Sequence, residues 1–214
     1  MAGMWYVAQD SITIHSRVTV SGDVRLILAD GCELTIDGGI QVAHPNSLTI
    51  YGQSEGNGEL TATALPTDYN AGIGGTVYSS TGNIVINGGT VTATGGEQGA
   101  GIGDGMADEN MPVKVASITI TGGTVTAKGG DQGKDRQSAA GIGGGAKTPG
   151  GKITISGGTV TANGADGASG IGHGGLGATG GEITISGGTV TATGGSGNPG
   201  ISCQDAPEND RPIG

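Results

Sequence analysis

Three short phrases recur in fixed order along most of this chain, and that recurrence limits its fold more than any other feature. The first is I-x-I: Ile84-Val85-Ile86, Ile118-Thr119-Ile120, Ile153-Thr154-Ile155 and Ile183-Thr184-Ile185. The second follows a Gly-Gly pair and reads T-V-T-A, at Thr90 to Ala93, Thr124 to Ala127, Thr159 to Ala162 and Thr189 to Ala192. The third is G-I-G, at Gly101 to Gly103, Gly141 to Gly143 and Gly170 to Gly172. An earlier copy reads Leu48-Thr49-Ile50, Leu60-Thr61-Ala62 and Gly72-Ile73-Gly74, and the last copy ends at Gly200-Ile201-Ser202. First phrases start at Leu48, Ile84, Ile118, Ile153 and Ile183, steps of 36, 34, 35 and 30 residues.

Each phrase alternates apolar with polar or small residues, the period of a half-buried strand. Ile, Val and Thr suit a pleated surface, and the Gly-Gly pairs permit corners with positive φ. No segment carries a helical period. Three short strands per repeat cannot bury an apolar face alone, but stacking each strand on its copy in the next repeat does so. The predicted fold is all-β: a right-handed parallel β-helix with three short strands per coil of about 30–36 residues. The expected layout is an N-terminal cap with irregular first coils over 1–46, regular coils over 47–203, and a polar, Pro-rich tail or truncated coil over 204–214.

With 49 glycines, no Phe and 2% aromatics in 214 residues, the core must be Ile, Val, Leu and Ala. That glycine content would point to disorder if it had no period. A net charge of −10 with nine Lys plus Arg leaves no basic surface to displace counterions from phosphate. Nucleic acid and anionic membrane surfaces are therefore unexpected partners. No apolar run is long enough to span a bilayer. The start, Met1-Ala2-Gly3-Met4-Trp5, lacks the features of a signal peptide and reads as a segment of a longer chain. Cys32 and Cys203 fall near opposite ends of the predicted stack, about 20–25 Å apart, which is too far for a disulfide. Both are expected to be small buried hydrophobes.

The phrases ITISGGTVTATGG and AAGIGGG, with the lead-in RVTVSGDVRLILADGCELTI, resemble the Gly-rich β-helical repeats of large secreted surface proteins of anaerobic Gram-positive bacteria. The resemblance covers nearly the whole chain. It implies a secreted or cell-surface setting and a structural, adhesive or carbohydrate-binding role. No catalytic residue carries over from it.

Motifs with chemistry are few. Gly170 to Gly175 fits G-x-G-x-x-G, and Gly141 to Ala146 fits its variant, but another strand follows where a dinucleotide site needs a helix N-terminus. Gly133-Lys134-Asp135 lacks the spacing of a P-loop. Gly129 to Asp135 is an approximate, unrepeated echo of a calcium-binding nonapeptide. Asp131 with Asp135, or Asp104 with Asp108, could form a loop calcium site, though solvated acidic loops account for them as well. His15, His44 and His173 lack zinc spacing. His173 shares a column with Asp104 two coils away, roughly 10 Å, too far for a hydrogen bond. No catalytic set, metal site or cofactor is predicted. A glycosidase would need two carboxyls about 5–10 Å apart, and the strand faces carry almost none.

The faces are more informative. With Val and Ala of T-V-T-A pointing inward, threonines form outward columns. Thr90, Thr124, Thr159 and Thr189 make one, and Thr92, Thr126, Thr161 and Thr191 the next. A third reads Thr94, Lys128, Asn163, Thr193. Stacked hydroxyls suit an exposed β face, and these eight threonines are the candidate binding residues. Ice-binding β-solenoids have similar T-x-T ladders. On the third face, glycines flank each inward Ile, so this strip is expected either to expose bare backbone to a ligand or to lie beneath overhanging loops. The leading expectation is a non-catalytic structural or binding module, with glycan or a host surface as partner. An ice-binding protein comes second, and a fragment of a polysaccharide lyase or glycosidase third. Aromatic platforms for sugar are limited to Trp5, Tyr6, Tyr51, Tyr69 and Tyr78.

Overall fold

The computed structural model describes residues 3–107, 117–131, 138–175 and 180–203. All regular elements there are strands, and they stack into three parallel sheets. The first sheet stacks β1 (Met4–Ala8), β4 (Asp23–Leu28), β7 (Ser47–Gly52), β10 (Asn83–Ile86), β13 (Ser117–Ile120), β16 (Lys152–Ile155) and β19 (Glu182–Ile185). The second stacks β2 (Ser11–Ile14), β5 (Glu33–Asp37), β8 (Glu59–Thr63), β11 (Thr90–Thr94), β14 (Thr124–Lys128), β17 (Thr159–Asn163) and β20 (Thr189–Thr193). The third stacks β3 (Val18–Thr19), β6 (Ile40–Gln41), β9 (Ile73–Gly74), β12 (Ile102–Gly103), β15 (Ile142–Gly143) and β18 (Ile171–Gly172). Every third strand in sequence is a neighbour in space. This is a right-handed parallel β-helix, the hand that parallel crossovers take.

The alternation predicted from sequence sets the register. Leu48, Ile84, Ile118, Ile153 and Ile183 lie opposite one another on successive coils. Val91, Val125, Val160 and Val190 form a second inward column. Ile73, Ile102, Ile142 and Ile171 form a third. All are buried except Ile183 and Val190, which are partly buried on the last full coil. Each fully buried Ile contributes roughly 1.5–3 kcal/mol, so a continuous aliphatic core compensates for the missing aromatics.

Residues 3–46 wind as two shorter coils in register with the rest. Met4 pairs with Val24 and Val24 with Leu48, steps of 20 (4 to 24) and 24 (24 to 48) residues. The predicted coil length therefore applies only from Ser47 onward. The added residues sit mainly in the connections on either side of the third sheet. The inner side of the first coil is open among the described residues. The inward side chains of Met4, Tyr6 and Ile12 remain exposed there. The predicted tail at 204–214 lies outside the described residues.

Candidate functional site: the threonine face

On the second sheet the valines and alanines of T-V-T-A are buried and the threonines point outward. The sheet brings together all eight predicted threonines. Thr90, Thr124, Thr159 and Thr189 stand opposite one another, as do Thr92, Thr126, Thr161 and Thr191. Each is exposed or half-buried. Within a column the repeat is about 4.8 Å, and the two columns lie about 6.6 Å apart along the strand, giving a regular hydroxyl array.

The second column is longer than the T-V-T-A phrase indicated. Thr13, Thr35 and Thr61 continue it toward the N-terminus, so threonine holds this position on seven successive strands. The signal was the I-T-I and L-T-I triplets at Ile12 to Ile14 and Leu34 to Ile36, which have the right alternation but no preceding Gly-Gly. The flanking columns are less uniform. Glu33 and Glu59 precede Thr90 in the first. The third runs Asp37, Thr63, Thr94, Lys128, Asn163, Thr193. The N-terminal end of the face is therefore acidic, with His15 Nδ1 2.7 Å from Asp37 Oδ2, while the later coils are mostly neutral.

The third sheet does not expose a bare glycine strip. Gly74, Gly103, Gly143 and Gly172 are buried, with φ between +127° and +139°. A Cβ on Gly74 would meet the Gly103 carbonyl oxygen, one on Gly103 that of Gly143, and one on Gly143 that of Gly172. The backbone approaching each glycine is the next coil, and the long connections fold over this side. The matches to G-x-G-x-x-G are strand β18 or β15 with the loop after it, and no helix follows among the described residues.

Asp104 departs from the expectation of a solvated loop. It follows Gly103 at the register position that Val20 and Val42 occupy in the short coils, where a Cβ on the equivalent Gly75 or Gly144 would meet Thr81 or Thr148 of the next connection. Backbone bonds connect that column, from Val20 to Gln41, Val42 to Gly74, and Asp104 to Gly143. Its side chain is 1% exposed, and neither carboxylate oxygen has a hydrogen-bond partner among the described residues. Burial pushes its pKa up to about 7, against a smaller opposing pull from Thr81. His173 takes the same column two coils on, with Nδ1 2.6 Å from the Gly174 carbonyl oxygen. The candidate calcium partners Asp108 and Asp135 lie outside the described residues. Among the described residues no three His, Cys, Asp or Glu are grouped to hold a metal ion. Both cysteines are free; Cys32 is buried as expected, but Cys203 is exposed, because it sits at the end of the described stack with no further described coil above it.

Sequence separation hid one more cluster. On the outer face of the first sheet Trp5 stacks on Tyr51, with centroids 5.5 Å apart and planes inclined by 29°. Arg25, opposite Trp5 on the next strand, lies 5.2 Å from the Trp5 ring centroid.

The β-helix repeat family matches the chain at residues 84–106, 118–146, 153–172 and 183–203. This part of the chain is a parallel β-helix repeat region. The matched segments begin on Ile84, Ile118, Ile153 and Ile183, so each family repeat corresponds to one coil of the stack. No curated protein and no solved structure matches the chain.

Proposed function

We propose that this β-helix is a non-catalytic module of a secreted or cell-surface protein, a rigid spacer that presents its threonine face to glycan or a host surface. The observation that carries this reading is the unbroken threonine column from Thr13 to Thr191, flanked by Thr90, Thr124, Thr159 and Thr189. Serine, asparagine or lysine would keep such a face soluble equally well, yet threonine recurs. A regular array of hydroxyls and methyls matches the alternating polar and apolar surface of a sugar ring. The absence of catalysis is part of the proposal. Of the described acidic groups, Asp104 has a perturbed pKa suited to acid catalysis, but it is sealed from substrate.

Ice binding is the second reading, favoured by the two-column T-x-T geometry over four coils. One experiment separates the two. The chain is applied to a glycan array and to an ice-recrystallisation assay, beside Thr126→Tyr and Thr161→Tyr. These side chains point outward, so the substitutions are expected to abolish binding while leaving the melting temperature nearly unchanged. Neither activity in the wild-type chain, or binding that survives both substitutions, leaves the face as the outer wall of a spacer. Product release from a polysaccharide panel would overturn the non-catalytic reading.

A further inference from the structure

The threonine face has unequal borders. On the side leading to the third sheet, the third residue after each of Thr94, Lys128 and Asn163 is acidic: Glu97, Asp131 and Asp166. Thr94, Lys128 and Asn163 stand opposite one another. The coils stay in step beyond them, since a Cβ on Gly130 would meet the Gly96 carbonyl and one on Gly195 that of Ala165. The three acidic residues therefore follow one another along this rim, one per coil, and each is exposed or half-buried. Two more carboxylates, Glu33 and Glu59, stand on adjacent strands at the N-terminal end of the face.

The border toward the first sheet is different. Across the Gly-Gly corner lie Asn87, Thr121, Ser156 and Ser186, in one column, their N–H groups donating to the carbonyls of Ile50, Ile86, Ile120 and Ile155. Thr121 Oγ1 donates to Asn87 Oδ1 at 2.7 Å. Thr121, Ser156 and Ser186 are exposed and Asn87 is half-buried. This column is polar and uncharged, so it continues the hydroxyl array round the corner. Between the two borders, the outward residues of β11, β14, β17 and β20 include one charged side chain, Lys128. The patch measures about 14 Å along the stack and about 13 Å along the strands, room for a short oligosaccharide.

We propose, resting on the glycan-binding reading of this face, that its ligand is an uncharged glycan lying across the threonine columns and over the Gly-Gly corner onto Asn87, Thr121 and Ser156. Hydroxyls and amides both donate and accept hydrogen bonds, as the hydroxyls of a neutral sugar do. A sulfate, phosphate or carboxylate on a ligand calls for paired guanidinium or ammonium groups. The patch offers Lys128 alone, and the carboxylates of its rim meet any such ligand with like charge, which is how an interface rejects a wrong partner. The rim therefore acts as a filter by charge, and the corner column extends the contact surface beyond the second sheet.

The test is an array of neutral glycans printed beside their sulfated and sialylated counterparts, probed with the full chain and its variants. Neutral members are expected to bind, with their charged counterparts weaker by about tenfold or more, and binding should change little as salt is raised. Ser156→Leu is expected to abolish binding as Thr161→Tyr does, with the melting temperature nearly unchanged, because both side chains point outward. Glu59→Gln combined with Asp166→Asn should leave neutral binding as it is and narrow the gap to the charged counterparts. Thr161-dependent binding that is strongest to a sulfated or sialylated glycan overturns the charge assignment. Wild-type binding in Ser156→Leu overturns the footprint across the corner. Both of those results leave the glycan-binding reading standing, whereas binding to no glycan, or binding that survives Thr161→Tyr, removes that reading and the proposal together.

Discussion

The third sheet is built in two ways, and the contrast explains where the glycines go. In the two short coils its outward residues are Thr19 and Gln41, ordinary polar side chains that reach solvent. From the third coil on, the same column reads Gly74, Gly103, Gly143 and Gly172. What changes is the length of the connections. Asp37 leads to Ile40 almost at once in the short coil, whereas Thr63 and Ile73, or Lys128 and Ile142, are separated by loops. The glycines that follow these loops take φ between +127° and +139°, and a side chain there would meet the backbone of the next coil. Glycine is thus the consequence of the backbone conformation that accompanies the long connections, and those connections, through Thr81, also allow a polar residue, Asp104, to be buried where the short coils carry Val20 and Val42.

The sharpest way to break this comparison is to add a side chain on one side of it and remove one on the other. Gly103→Val forces a β-branched residue to φ +135° against the Gly143 carbonyl. Strain and overpacking together are expected to cost about 3–5 kcal/mol in urea melts. Gln41→Gly, which strips the uncovered position, is expected to cost about 1 kcal/mol or less. Similar costs at the two sites would mean that neither the positive φ nor the close approach of the next coil requires the glycines.

Asp104 makes a pH-dependent version of the same point. Its folded pKa lies above its unfolded value of 3.8, at about 7, so the folded state holds the proton more tightly. Below the unfolded pKa the group has no effect on stability. Between about pH 4 and pH 7 stability should fall, by up to about 4 kcal/mol, and then level off. Asp104→Asn should remove that fall, read as the difference in unfolding free energy between pH 4 and pH 8. A wild-type slope that survives the substitution would assign it to other groups.

Smaller effects separate the two faces of the regular coils. Val160 is fully buried mid-stack, so Val160→Ala should leave a small cavity and cost about 1–2 kcal/mol. Thr161→Ala, on the solvent side, should change stability by well under about 1 kcal/mol. Equal losses would contradict the inward and outward assignment.

The repeat made the fold legible because three strand phrases with fixed alternation leave one way to bury Ile, Val and Ala. The eight threonines followed from the same alternation. Less was legible where the alternation gives no information. Thr13 and Thr35 lie in coils without the Gly-Gly marker, so their membership in the column appears only once the strands are stacked. Asp104 has the polarity of a loop residue, and its burial depends on connections whose path the strand phrases do not encode. The stacking of Trp5 on Tyr51 joins residues two coils apart, a contact that depends on the length of the short coils. Cys203 has the spacing of a core residue but stands on the last described coil, where exposure is decided by position in the stack.

The coil-on-coil arrangement also determines how the molecule would respond to tension. Each strand is paired only with its copies on the coil before and the coil after, so a pull on the two ends peels coils singly from an end and does not shear the whole body at once. Releasing one coil shortens the stack by only about 4.8 Å. It frees a chain of 30–36 residues that reaches about 100–130 Å when extended. A short rod of this construction therefore stores a long reel of slack, paid out in discrete steps.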